Sequence, residues 1–324
     1  MITNIDNAMS RIIGNDAVDG NRTMAIEFEF YAHHSKVEEI RTRLSRAVML
    51  RGMGWGEANG RAFPLWVFKT DGSLDGVPRF NSWRGFSGYE ITSPNNLTFS
   101  QLVPQMQAVL HILNDCGCKV SKKCGTHVHH VGTRITAKRL QNIVNFAVAN
   151  EEVIDCIVAK SRRGRNDCFY SKSNRDVAEL CHYVTQTRKT TFMRSKGIEN
   201  TQDVKVSQDT HYRYRNVNVT AFAKHGTIEY RHHQGTLDFS KAVFWLAFTQ
   251  AQVMRGMSSV KRVRNYQQPV QNTLKQLKWA TDDEDGNLIP CSKGHEYLIK
   301  YMIGRMAHFG FSDKAPRLST LTAS

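Results

Sequence analysis

Three short stretches place pairs of reactive side chains two residues apart. Ile26-Glu27-Phe28-Glu29-Phe30 alternates acids with apolar residues, Thr126-His127-Val128-His129 does the same with imidazoles, and Ile228-Glu229-Tyr230-Arg231 with an acid and a guanidinium. A β-strand turns successive side chains to opposite faces, so each pair shares one face. In a fourth stretch, Gly88-Tyr89-Glu90-Ile91-Thr92-Ser93-Pro94, Glu90 lies on the face opposite Tyr89 and Ile91, and the proline ends the strand. Acids gathered on one sheet face repel, and must be solvated, paired or metallated. A single Glu-x-Glu is more often the wet side of an amphipathic strand; repetition over three strands is what argues for chemistry. Hard oxygen ligands from Glu27, Glu29, Glu90 and Glu229 with one histidine describe a Mg2+ or Mn2+ site that would also hold phosphate oxygens. Arginines beside it would offset charge on a transferring phosphoryl group.

The elements that must carry these residues are mixed. Strands are predicted at Ala25 to Tyr31, Leu65 to Thr70, Gly88 to Thr92, Thr126 to Val131, Arg213 to Phe222 and Thr227 to His232. Apolar spacing of three to four predicts helices over Ser100 to Asp115, with Ser100 as N-cap and Gly117 as C-cap, over Thr136 to about Ala159, and from Asp238 past Gln250. Weaker patterns cover Lys36 to Met49, Asn174 to Thr185, Gln271 to Trp279 and His295 to Met306. No regular βαβ rhythm links them, so an α+β fold with an antiparallel-dominated sheet is expected.

At 324 residues, 40% of them apolar and 23% charged, the chain can bury a large core. The polar start and the lack of a long apolar run predict neither signal peptide nor membrane span, and the seven cysteines fit a reducing cytoplasm. No linker or repeat marks a boundary, so one domain over 1–324 is expected. The 44 basic against 29 acidic residues give a formal charge of +15, which points to an anionic ligand. Cys116, Cys118, Cys124, His127 and His129 lack the usual zinc-knuckle spacing, and packing roles for the thiols are favoured. Asp282-Asp283-Glu284-Asp285-Gly286 lacks the alternating ligands and final glutamate of an EF-hand and reads as a solvated turn.

The order of motifs resembles the amidoligase family: Glu27 and Glu29, then Asp71-Gly72-Ser73-Leu74 and Glu90, then Cys124-Gly125-Thr126-His127-Val128-His129. Ser161-Arg162-Arg163, Arg215-Asn216-Val217-Asn218, Gly226 to Arg231 and Gly235-Thr236-Leu237-Asp238 follow in the family's order. The resemblance spans roughly residues 24 to 245, leaving 260–324 as a helical extension without a motif. The family in turn resembles the glutamine synthetase and glutamate-cysteine ligase superfamily. That implies a curved antiparallel sheet with helices on its outer face, and ATP with divalent metals on the inner one.

On the same resemblance, Glu27, Glu29, Glu90 and Glu229 match metal-binding acids, and His127 sits beside metal and phosphate. His129 would touch nucleotide or substrate, and Arg215 and Arg231 would meet phosphate and a developing acyl phosphate. Asp71 is carried with the catalytic group, although turn chemistry alone explains it. Arg162 and Arg163 would bind carboxylate or phosphate. The implied reaction is ATP-dependent amide formation through an acyl phosphate, joining a small-molecule or peptide carboxylate to an amine. The alternative is a nucleic-acid- or other polyanion-binding protein on an inactive ligase scaffold. Its phosphate contacts would come from the basic clusters at Arg41 to Arg51, Lys119 to Lys123, Arg134 to Arg139 and Lys160 to Arg165. A ligase whose acceptor is itself a polyanion would combine the two.

Overall fold

The computed structural model describes residues 4–48, 50–51, 65–74, 83–132, 135–163, 170–175, 213–258 and 268–319. Its main sheet runs β2 (Leu50–Arg51), β3 (Trp66–Thr70), β4 (Phe86–Thr92), β1 (Thr23–His33), β6 (Gly125–Val131), β8 (Thr227–Gln234) and β7 (Val217–Asn218), with β5 (Leu97–Thr98) paired to the start of β1. Only β2 and β3 pair in parallel among these; the remaining ladders are antiparallel. The fold is α+β, as the mixed pattern predicts.

Alternation builds the core. Met24, Ile26, Phe28, Phe30 and Ala32 all leave β1 on one face, where Phe68, Ile91, Val128, Ile228 and Tyr230 join them from neighbouring strands. Helix α3 (Phe99–Asp115) packs against β1, and α7 (Phe239–Met257) against β6. Outside these lie α1 (Asn7–Asp16), α2 (Val37–Ala47), α4 (Ala137–Ala149) and α9 (Lys293–His308), with the short α5 (Glu151–Asp155), α6 (Thr220–His225) and α8 (Pro269–Gln276) between. Helix α7 is apolar nearly all round, as a central helix must be. A Cβ on Gly256 would lie 2.4 Å from Ile143 Cα, so α4 and α7 meet with little between their backbones.

Several predicted elements shift. The N-terminus of helix α3 lies two residues earlier than the expected Ser100 cap implies, under a capping box of Thr98 and Gln101, so Thr98 replaces Ser100 as N-cap. The helix expected from Thr136 to Ala159 breaks at Asn150, whose side-chain amide bonds the Phe146 carbonyl at 2.7 Å. The strand expected over Arg213 to Phe222 shrinks to β7, because Thr220 to His225 turn into α6, closed by Gly226 in the left-handed region at φ +69°. The helix expected over Asn174 to Thr185 lies almost wholly outside the described residues. Helix α1 was not expected; its short apolar stripe starts at an Asp6 cap. The acidic loop forms the turn of a hairpin, β9 (Ala280–Asp282) with β10 (Leu288–Pro290), so the C-terminal part is not purely helical. No helix among the described residues is long and apolar enough to cross a membrane.

The helix-covered face also buries three histidines. Burial lowers His232 and His233 to about 3, and burial with Arg22 and His129 nearby takes His130 well below the ordinary imidazole range. The unfolded chain takes up these protons below about pH 6.5 while the folded chain refuses them. Their contribution to stability is therefore complete above that pH and is lost as pH falls toward 3. Each should add about 1 kcal/mol per pH unit to the acid loss. His232, whose two ring nitrogens have no hydrogen-bond partner among the described residues, provides the test. A His232→Phe variant should show an acid limb shallower by about that amount in urea unfolding between pH 7 and 4.

Candidate functional site

The sheet face turned away from the helices collects the charged residues. Glu27 stands opposite His127 across the β1–β6 ladder, and Glu29 opposite Glu90 across β1–β4. Lys69 stands opposite Glu90 on β3, His129 opposite Glu229 on β8, and Asn218 opposite Glu229 on β7. Alternation along β8 puts Glu229 and Arg231 on this face, and a register shift beyond Tyr230 then sets His233 opposite Thr126.

His127 is the hub. It is 1% exposed, with Nδ1 2.6 Å from Glu27 Oε1 and 3.5 Å from Glu229 Oε1. Its Nε2 has no hydrogen-bond partner among the described residues and lies 3.6 Å from Glu29 Oε1. The His127 ring can take this position because residue 125 is glycine: a Cβ there would lie 2.4 Å from Nε2. Glu27, Glu29 and His127 offer ligand atoms all within 4.8 Å of one another, and among the described residues no other His, Cys, Asp or Glu group has such spacing. An orphaned buried imidazole nitrogen with two carboxylates beside it fits a divalent cation.

Around this trio the charges are arranged by partner. Burial opposes ionisation of Glu27, yet His127 and His129 against it hold its carboxyl well below the usual range. Glu229 is likewise lowered to about 2 against its burial, chiefly by Arg231, whose Nη1 bonds Glu229 Oε1; Asn218 Nδ2 donates to Oε2 at 2.5 Å. Glu29 and Glu90 go the other way. Burial, against the opposing pull of His127, leaves Glu29 raised; burial and the nearby Glu27 push Glu90 up to about 8. Glu29 accepts the Gly125 N–H at 2.6 Å, and Glu90 accepts from Lys69 at 2.9 Å and Thr92 at 2.8 Å. His129 is raised despite its burial by Glu27 and Glu229, and its Nδ1 meets Thr227 Oγ1 at 3.1 Å. Lys69 and Arg231 thus face four carboxylates, of which Glu27 and Glu229 are held ionised while Glu29 and Glu90 are raised by burial.

Arg231 is held from two sides. Besides Glu229, its Nε donates to the Tyr170 carbonyl at 3.1 Å, while Nη2 makes no hydrogen bond with the described residues. Arg162 is buried, donates to the Lys123 carbonyl at 2.8 Å and places its charge near Glu29. Arg215 lies half-buried, donating from Nη1 to the Ser173 carbonyl at 2.6 Å. Asp71 forms the turn after β3, accepting the Ser73 N–H at 2.8 Å, with its charge reaching Glu29 and Lys69. Arg163 turns elsewhere, over the rings of Phe309 and Phe311 at 5.4 and 4.9 Å. The three thiols of the rejected zinc pattern do not enter the site: Cys116 caps α3 and Cys124 precedes β6.

Sequence reasoning missed Lys69, Thr92 and Asn218 as members of this face. The alternation Val67, Lys69 on β3 carries the signal for Lys69, but only once β3 is paired with β4.

Gly125→Ala should weaken Mn2+ binding roughly tenfold or more, because the new methyl group displaces the His127 ring without removing any ligand. Titration followed by electron paramagnetic resonance measures it, with thermal unfolding confirming an intact fold.

A sequence model for a family described as "Putative amidoligase enzyme" matches residues 21–253. No curated protein matches the chain.

Proposed function

The chain belongs to the amidoligase family, a ligase-type assignment, and from that premise we propose that it is an ATP-dependent carboxylate–amine ligase using Mg2+ or Mn2+. One observation carries the reading. A largely buried acid–histidine trio with an orphaned His127 Nε2 shares a sheet face with Arg231, whose guanidinium is held by Glu229 and the Tyr170 carbonyl while its Nη2 makes no hydrogen bond with the described residues. Glu27, Glu29 and His127 would hold the cation, with Glu229 and Glu90 at its margins.

When bound, ATP and the metal would supply the activation, passing a phosphoryl group to the substrate carboxylate so that an amine displaces phosphate from the acyl phosphate. The protein's residues position and neutralise. Arg231 and the half-buried Arg215 would present guanidiniums to anionic oxygens, and Arg162, buried on the Lys123 carbonyl, would add its charge from behind Glu29. Asn218 and Arg231 keep Glu229 ionised and oriented, while Lys69 and Thr92 orient Glu90, whose carboxyl burial and Glu27 push up to about 8. His129, on the same face and hydrogen-bonded to Thr227, would meet the nucleotide or the substrate.

The +15 charge leaves room for a polyanionic acceptor, but the family match favours an enzyme over a binding protein alone. Part of that charge is also used locally: Arg43 pairs with Asp115 at 2.7 Å and Arg41 with Glu38, while Arg134 and Arg165 lie outside the described residues. Calorimetric titration with a non-hydrolysable ATP analogue, with and without Mg2+ and at two salt concentrations, tests the reading. Metal-dependent binding is expected; absence of binding in every condition overturns it. A steep loss of nucleic-acid affinity with salt would mark the acceptor as a polyanion.

A further inference from the structure

Glu151 stands outside every motif that marks the site, at the first turn of α5, and is 2% exposed. A carboxylate this deep must be satisfied or it destabilises the fold. It takes three donors: Asn216 Nδ2 at 2.9 Å on Oε1, and Ser173 Oγ at 2.7 Å and Arg175 Nε at 2.8 Å on Oε2. These partners lie on two separate pieces of chain. Residues 170–175 run beside 214–217, joined by Lys172 N–H to the Tyr214 carbonyl and Asn216 N–H to the Lys172 carbonyl, both at 2.8 Å.

Those two pieces hold Arg231. Its backbone N–H donates to the Asn216 carbonyl at 2.7 Å, and its own carbonyl lies 3.1 Å from Ser171 Oγ, which also meets Asn216 Oδ1 at 2.5 Å. The guanidinium Nε donates to the Tyr170 carbonyl. The bonded path therefore runs from Glu151 through Asn216, Ser173 and the 170–175 segment to both ends of Arg231. An arginine side chain with several rotatable bonds has little intrinsic preference for one direction, so this frame decides where Nη2 points.

We propose that Glu151 is a positioning residue that fixes the Arg231 guanidinium for an oxyanion of the substrate, through the 170–175 segment. The functional half rests on the role proposed above for Arg231; the geometrical half does not. Glu151→Gln removes an acceptor and sets an amide N–H against donors, while Arg175, one-third exposed, can turn to solvent. Two readouts on the full chain separate the claims. Amide-type hydrogen exchange of the Arg231 Nε–H, assigned by its loss in Arg231→Lys, reports the bond to Tyr170. It should speed up about tenfold or more in Glu151→Gln and in the milder Ser171→Ala. Affinity for tripolyphosphate in the presence of Mn2+ should fall about tenfold, with Mn2+ affinity alone unchanged and with no further loss when Arg231→Lys is added.

Unchanged Arg231 Nε–H exchange in both variants overturns the proposal. So does a loss of Mn2+ and tripolyphosphate binding in step, which would mark Glu151 as a general support for the fold. Should the wild-type protein take up no tripolyphosphate with Mn2+, the phosphate-handling role of Arg231 falls instead, and the exchange rate still decides whether Glu151 positions it.

Discussion

A Glu27→Gln protein is expected to keep its fold and lose its ligase turnover by about a thousandfold, equivalent to roughly 4 kcal/mol of transition-state stabilisation. The substitution preserves shape, so Phe28 and Ile26 on the opposite face stay packed. What disappears is the charge that His127 and His129 hold in place from 2.6 and 3.8 Å. Gln also turns one amide N–H toward an imidazole nitrogen or a second carboxylate. Only two ligand groups of the trio then remain anionic or basic enough to hold a hard cation, and Mn2+ affinity should fall with turnover. Single-turnover phosphate release together with circular dichroism separates the outcomes. Wild-type turnover in this variant would remove the metal assignment; a collapsed spectrum would show that Glu27 serves the sheet.

Arg231→Met should have its main effect on stability, costing about 3 to 5 kcal/mol at neutral pH, because it leaves Glu229 ionised and buried with its strongest partner gone. The linkage sign is definite. With Arg231 present Glu229 is lowered to about 2, so its stabilising contribution is complete above the unfolded value near 4.3 and fades only toward pH 2. Without Arg231, burial dominates and the carboxyl rises, so the loss relative to wild type should shrink as pH falls and Glu229 takes up a proton. Urea unfolding at pH 7 and pH 4 measures this, and adding Glu229→Gln to Arg231→Met should recover much of the loss at pH 7. A pH-independent difference would mean that Arg231 acts by packing its stem against the sheet.

Legibility in the sequence followed how local the information was. The pairs Glu27 and Glu29, and His127 and His129, were placed on a common face by a period of two, because a strand's alternation is a property of the strand alone. Lys69 needed the knowledge that β3 pairs with β4, a contact made by folding and not by local preference. Asn218 was hidden for a related reason: a stretch of β-branched residues suggested a long strand through Phe222, but the chain had only two residues to pair before α6 began. Glu151 was the least visible. It follows Asn150 inside what reads as one continuous amphipathic helix, where a glutamate is unremarkable until the helix breaks and turns it inward.

The register of β1 has a consequence for how such a protein can change over generations. Phe28 and Phe30 serve the core from the same strand on which Glu27 and Glu29 serve the site. Losing or gaining one residue within Met24–Phe30 would exchange the two sets, burying carboxylates under α3 and exposing phenylalanines to the substrate. Unless a bulge restored the alternation, such a lineage would lose foldability and chemistry in a single step. A change of length in this strand survives only where a bulge absorbs it, as the register shift in β8 does, so novelty in what the protein joins enters more readily through the connections at the sheet's ends.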